Sequence, residues 1–280
     1  MKMDAEQDMK DSVRPRHAVF TRLWHGVNAV VLTILLMSGL MIFNAHPRLY
    51  WGAYGSREDT AWLEINDTRT TGFLQIGSAR METTGVLGLS LGGDERVRRV
   101  AFPGWATIPT DYSLAAARRW HFAFGWIFAV GLSLFMLVSL FNGHVRRDLH
   151  IPRAEWRFAA FWQDVKNHAR LRFGGNHART YNILQKFSYV GVIFVLLPLM
   201  IFSGIAMSPA MNAAWPWLLD IFAGRQSARS IHFLCSFMLV AFVVVHVLMV
   251  LLSGPVSGVR SMITGRLTSG KLNHRKGQKK

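Results

Sequence analysis

Histidine is the residue type in this chain whose placement demands a chemical explanation. Of 11 histidines, His25, His121, His232 and His246 fall inside long apolar runs. An ionisable side chain at membrane depth is costly, so each is a functional candidate by default. Taken singly, any of them could also be an interhelical hydrogen-bonding group. Taken together they form a pattern. His232 and His246 are 14 positions apart in the last run, which on a helix is a rise of about 21 Å with a return to within about 40° of the starting direction. The second and fourth runs cross in the same direction, so His121 and His232, each at the start of its run, lie at one level. His25, at the start of the first run, shares the opposite level with His246. Two His–His pairs result, with no carboxylate or thiolate at either level. Bis-imidazole haem iron suits such a pair, whereas zinc takes four ligands or an open site with water.

Arginine supports this reading. Arg22, Arg118 and Arg229 each stand three residues before a histidine, the first two as R-x-W-H. A cation at a helix N-terminus opposes the macrodipole, so an anion is expected nearby. Haem propionates supply one and accept paired hydrogen bonds from guanidinium; the plainer alternative is an arginine reaching lipid head groups. Two further histidines compete as ligands, His46 just after the first run and His144 just after the second. His17, His150, His168, His177 and His274 lie in polar segments and read as solvated.

The elements that must position these groups are four apolar runs, at 25–43, 121–141, 187–207 and 231–252, each about as long as a membrane-spanning helix requires. With their flanks they give helices at about 20–44, 114–142, 183–207 and 228–253. The expected fold is all-α: a four-helix transmembrane bundle forming a single domain over 1–280, with an exoplasmic loop at 45–113, a cytoplasmic connection at 143–182 and a basic cytoplasmic tail at 254–280. Of the 280 residues 51% are hydrophobic and 17% charged, against about 25% charged in ordinary soluble domains. The first run has a polar leader and no A-x-A cleavage pattern, so it reads as a retained anchor. Pro198 predicts a kink in the third run. Gly39, Gly131, Gly191 and Gly204 are small residues that let helices approach.

Charge sets the orientation. The formal net charge is +16, and every lysine and most arginines fall on the side that holds both termini, while acidic residues nearly balance the arginines opposite. The positive-inside rule then places both termini in the cytoplasm of a bacterial inner membrane. The basic excess is a topology and lipid signal, and no nucleic-acid module accompanies it. The exoplasmic loop, with turns at Gly92-Gly93 and Pro103-Gly104, reads as a folded cap, a docking surface or both. Within the cytoplasmic connection, residues 154–172 place Phe158, Phe161, Trp162, Val165 and Ala169 on one face, an interfacial amphipathic helix. The single cysteine, Cys235, excludes an internal disulfide, a C-x-x-C redox pair, a c-type haem attachment and an all-thiolate cluster; it reads as a small buried residue. Gly85 to Gly93 lacks the G-x-G-x-x-G order and reads as a turn.

Several short motifs carry a family resemblance. They are R-L-W-H at Arg22 to His25, F-N-A-H-P at Phe43 to Pro47, F-P-G-W-A-T at Phe102 to Thr107 and R-R-W-H-F at Arg118 to Phe122. Further along come Y-N-I-L-Q-K at Tyr181 to Lys186, G-R-Q-S-A-R at Gly224 to Arg229 and R-S-M-I-T-G at Arg260 to Gly265. On these the chain resembles the di-haem cytochrome b subunits that anchor hydrogenases, formate dehydrogenases and thiosulfate reductases. It is most similar to the thiosulfate-reductase-like branch found beside molybdopterin enzymes of the sulfite oxidase type.

The resemblance implies two non-covalent haem b groups, with His25 and His246 ligating an inner haem and His121 and His232 an outer one, in agreement with the depth argument. It also implies quinone exchange near the inner haem, where Asn182, Gln185, Lys186 and Tyr189 open the third helix; Asn and Gln can hydrogen-bond a quinone carbonyl. The implied function is electron transfer between the quinone pool and a periplasmic molybdopterin-dependent oxidoreductase or c-type cytochrome, as the electron-transfer subunit of a larger complex and without substrate chemistry of its own. Two other readings differ in class or partner: a haem-free proton-coupled anion transporter, for which inverted repeats and broken helices are wanting, and a haem b subunit of a hydrogenase or another membrane reductase.

Overall fold

The computed structural model describes residues 19–56, 58–141, 162, 166 and 188–252. Among them, four helices have the length and apolar composition to cross a membrane: α1 (Val19–Asn44), α2 (Leu114–Phe141), α3 (Ser188–Met207) and, after two short helices α4 (Pro209–Ala214) and α5 (Trp217–Ile221), α6 (Arg225–Leu252). Four spans are found, as expected; α6 begins at Arg225, and the expected start of the third helix at 183 lies outside the described residues. The chain is thus a multi-pass membrane protein. The amphipathic segment at 154–172 lies outside the described residues apart from Trp162 and Lys166, which are helical; Lys166 Nζ sits 5.9 Å from the Trp162 ring centre.

Side-chain placement on these helices is the reverse of a water-soluble bundle. Large apolar groups such as Leu23, Val30, Leu134 and Val244 point outward, while Ser38, Ser203 and Ser230 have no exposed surface. Lipid is as apolar as leucine, so association depends on small residues and hydrogen bonds at the interfaces. Pro198 cannot donate to the carbonyl four residues back. The expected disturbance takes the form of a π turn at Val192–Leu196, directly ahead of the α-helical stretch Leu197–Met207, a common way to absorb such an interruption.

The chain divides into two compact units, one made of residues 1–29 with 242–280 and one of residues 30–241. In the first, the described parts are the beginning of α1 and the end of α6.

The second holds the rest, including residues 45–113, whose turns connect strands that the sequence pattern does not announce. Residues 45–113 carry six short strands: β1 (Arg48–Leu49), β2 (Leu63–Asp67), β3 (Gly72–Ile76), β4 (Ala79–Glu82), β5 (Ser90–Leu91) and β6 (Val97–Arg98). The first four make an antiparallel sheet in sequential order, and β5 pairs with β6. Register brings Leu63 opposite Leu49 and Ile76, and Ile65 opposite Leu74. Period-two alternation buries Leu63 and Ile65 while Glu64 between them faces Arg48, to which it is bonded at 2.7 Å. That contact holds the Arg48 pKa above its ordinary value.

The sheet is not free-standing. Leu49, Leu63, Ile65, Ala101 and Phe102 share one core with Phe43 of α1, and Leu40 and Phe233 of α1 and α6 pack on it. Asn44, the last residue of α1, clasps Phe102: its Nδ2 donates to the Phe102 carbonyl at 2.9 Å and its Oδ1 accepts the Phe102 N–H at 2.7 Å. The first turn of α6 supplies a second fastening. Gly52 O accepts the N–H groups of Gln226 and Ser227 at 3.0 and 3.1 Å, and Gly52 N–H donates to Ser227 Oγ at 2.7 Å. These are N–H groups that a helix start leaves without an internal partner. Gly224, with φ +111°, makes the approach possible, because a Cβ there would meet the Ala53 backbone at 2.5 Å. Trp62 Nε1 completes the join by donating to Ser230 Oγ at 2.9 Å, and Ser230 in turn donates to Tyr50 O at 2.6 Å. Elsewhere in this unit Leu218 of α5 and Phe222, just after it, pack against Ala206 of α3 and Ala228 of α6.

Candidate functional site

Each unit holds one pair of histidine rings. In the first, His25 of α1 and His246 of α6 have ring centres 6.2 Å apart at an interplanar angle of 55°. In the second, His121 of α2 and His232 of α6 have centres 6.2 Å apart at 68°. The pairs are those expected from helix spacing and direction. His46, the competing ligand, is instead stacked on Tyr50 at 5.8 Å. His144 lies outside the described residues, as do His17, His150, His168, His177 and His274.

The common spacing is informative. A metal–imidazole bond of about 2 Å, plus about 1.1 Å from nitrogen to ring centre on each side, separates two rings on one metal by about 6 Å. Imidazoles packed directly on each other would sit closer, and rings held apart by protein would have no reason to repeat the figure. Among the described residues no group of three or more His, Cys, Asp or Glu side chains is placed to hold a metal ion. A pair of imidazoles without further donors fits a metal whose other ligands come from a macrocycle, and these residues would hold such a group.

The His121–His232 pair is held by its surroundings in a definite tautomer. His121 Nδ1 lies 3.1 Å from Leu35 O and 3.1 Å from Ser38 Oγ, both on α1. His232 Nδ1 lies 3.1 Å from Met200 O and 3.1 Å from Ser203 Oγ, both on α3. A backbone carbonyl only accepts, so Nδ1 carries the proton on both rings and Nε2 is the nitrogen with a lone pair to give. Gly39 and Gly204, expected as helix-approach residues, lie under the rings: a Cβ at either would stand 3.3 Å from His121 Cε1 and 3.2 Å from His232 Cε1. The serines escaped the sequence reading. Their signal was the recurrence of Ser-Gly in the first and third apolar runs, as M-S-G and F-S-G. The His25–His246 pair is different: His246 stacks on Phe242 at 5.9 Å, and among the described residues neither ring makes a hydrogen bond.

The arginines have individual settings. Arg22 is half-buried one turn ahead of His25. Arg118 is exposed at the start of α2, its guanidinium 5.7 Å from the Phe122 ring centre. Arg229 donates to the carbonyls of His46 and, at 3.2 Å, of Arg48, and lies 5.6 Å from the Phe43 ring centre. Two N–H groups are thus engaged in the cap of a side chain that has five. Cys235 is buried, as expected. Tyr189 is half-buried on α3, whereas Asn182, Gln185 and Lys186 lie outside the described residues.

An aromatic cluster adjoins His232. Phe233 packs on Phe43 at 4.8 Å and on Phe237 at 4.6 Å, and Phe43 meets Phe102 edge-on at 5.7 Å. These four rings tie the N-terminal half of α6 to the sheet core.

Comparison with known proteins agrees with this chemistry. Over 155 residues, 55% of this chain and 71% of the other, the sequence is 27% identical to a putative protein-methionine-sulfoxide reductase subunit, YedZ1, of Azospira oryzae. Over 180 residues, 59% of this chain and 72% of the other, it is 26% identical to a probable Ni/Fe-hydrogenase B-type cytochrome subunit of Cupriavidus necator. No solved structure gives a significant match. The profile of the prokaryotic cytochrome b561 family matches residues 16–265, nearly the whole chain. This multi-pass membrane chain therefore belongs to the prokaryotic cytochrome b561 family, whose members bind haem b and carry electrons.

Proposed function

We propose that the chain binds two haem b groups and carries electrons between the membrane quinone pool and a redox enzyme on the exoplasmic side. The observation that carries this reading is the 6.2 Å ring spacing found in both histidine pairs. His25 with His246, and His121 with His232, would hold the two haem irons. Arg22, Arg118 and Arg229 are the cations for the propionates, Arg229 through the donors that the cap leaves uncommitted. Bound haem b supplies a one-electron iron couple with no bond chemistry on the protein. The chain's own work is to ligate through Nε2, to hold the ring orientation and to exclude water from the iron.

Quinone exchange is assigned to the cytoplasmic side, with Asn182 and Gln185 as hydrogen-bond donors and Lys186 and Tyr189 as further candidates. The setting is a bacterial inner membrane with both termini cytoplasmic, on the distribution of Lys and Arg. A molybdopterin reductase is the preferred partner; the relative named as a subunit of a putative methionine sulfoxide reductase supports a reductase. The relative named as a hydrogenase subunit keeps a hydrogenase as the second reading. A c-type cytochrome is a further candidate for the exoplasmic side.

The deciding experiment is a dithionite-reduced minus oxidised spectrum of the detergent-purified chain with a pyridine haemochrome count. Two low-spin haems b per polypeptide are expected, and a haem-free protein made with adequate haem supply would return the reading to a transporter. For the quinone site, Asn182→Ala combined with Gln185→Ala is expected to slow quinol reduction of fully loaded protein about tenfold, the equivalent of one lost hydrogen bond of about 1.4 kcal/mol. Unchanged stopped-flow kinetics would move that site elsewhere.

A further inference from the structure

The same three-residue cradle occurs twice around the His121–His232 pair, on two helices. On α1 it consists of Leu35, Ser38 and Gly39, and on α3 of Met200, Ser203 and Gly204. In both, a carbonyl and the hydroxyl three residues later stand 3.1 Å from one imidazole Nδ1. In both, the next residue is a glycine under the ring Cε1. Both serines have no exposed surface. Each hydroxyl also lies close to the carbonyl four residues back, Ser38 Oγ to Ile34 O at 2.6 Å and Ser203 Oγ to Leu199 O at 2.7 Å. A serine has one proton, so once it is given to that carbonyl only lone pairs remain to face the imidazole.

A serine satisfying its own helix needs no more than the bond to the carbonyl behind it. Here the other side of each oxygen meets a ring on a different helix, and the arrangement is repeated on the opposite ligand. The chain of bonds runs from imidazole N–H to hydroxyl to carbonyl. Each link polarises the next and draws the Nδ1 proton away from the ring, and electron density left on the ring raises the basicity of Nε2. A more basic pair of axial nitrogens stabilises oxidised iron over reduced iron. The His25–His246 pair has no such bonds among the described residues.

We propose that Ser38 and Ser203 are positioning residues that lower the reduction potential of the haem held between His121 and His232, each acting through the imidazole that it accepts from. The proposal rests on the haem-ligand assignment above. Nothing moves covalently; the effect is electronic and graded with the number of acceptors.

The test is a spectroscopically monitored redox titration of the detergent-purified full chain and of Ser38→Ala, Ser203→Ala and the double variant, with haem content measured on each sample. Each single variant is expected to shift the oxidised-to-reduced ratio of one haem, at fixed potential, about threefold toward reduced. The double variant should shift it about tenfold, about 59 mV for a one-electron couple, leaving the other haem unmoved. Ser38→Thr and Ser203→Thr retain the hydroxyl and should keep the original potential. Unchanged potentials in loaded alanine variants would overturn the proposal. So would alanine and threonine variants that shift or lose the haem alike, since that marks a role in packing. If the unsubstituted chain binds no haem, the ligand assignment itself fails, and the haem count reports that outcome separately.

Discussion

The two histidine pairs have one ring spacing and two kinds of support. At His121 and His232, carbonyls and serine hydroxyls on neighbouring helices fix both rings, and the cap is fastened to the first turn of the same helix that carries His232. At His25 and His246, the rings face each other at 6.2 Å with Phe242 stacked on one of them. Ring spacing alone therefore says little about how firmly a pair is held. The difference lies in what holds the second ring nitrogen: neighbouring helices fix it on both rings of one pair, and among the described residues no hydrogen bond does so in the other.

The largest test of that contrast removes ligands. His121→Ala and His246→Ala are each expected to lower the haemochrome count from two to one, and to abolish different haems, resolved by low-temperature spectra. Loss of both haems from either variant would join what the comparison separates. An intermediate effect is expected from Asn44→Ala, which leaves the buried N–H and carbonyl of Phe102 without their partner and costs about 2 kcal/mol. A lower Tm and faster proteolysis within residues 45–113 would report it, with the His25–His246 spectrum unaltered. The smallest effect separates two glycines next to the two sites. Gly39→Ala must displace the His121 ring by a few tenths of an ångström, whereas a Cβ at Gly26 meets nothing within 4 Å. Electron paramagnetic resonance should therefore show altered g-values for one haem in Gly39→Ala and none in Gly26→Ala. A matching change in both would mean that the rings are equally constrained.

What could be read from the sequence follows from what each feature depends on. The histidine pairing depends on helix periodicity and direction, both of which leave a long-range trace, so positions 25, 121, 232 and 246 declared their partners. Pro198 announced an interruption, though not that a π turn at Val192–Leu196 would absorb it. The serines were silent because serine in an apolar helix ordinarily bonds its own backbone, and only comparison of one run with another brings out Ser38-Gly39 and Ser203-Gly204. The sheet was hardest to see. Its strands have two to five residues, too short for alternation to stand out, and β4 is exposed along its length. Leu63-Glu64-Ile65 carries the pattern, but its burial is created by Phe43 and Phe233 of the helices, which no local reading supplies.

The fastening of the cap to α6 also constrains how the molecule is made. Residues 45–113 are synthesised long before Arg225–Leu252 exists. Until that last helix arrives, the Gly52 carbonyl and the Trp62 indole lack the partners they have in the finished protein, and Phe233 is missing from the core of the sheet. The cap therefore lacks these contacts while two further helices are made, and their completion coincides with the arrival of His232 opposite His121. Closure of the cap is thereby timed to the moment when the second histidine of the pair comes into place, so a chain truncated before α6 would lack that ring and the finished cap together.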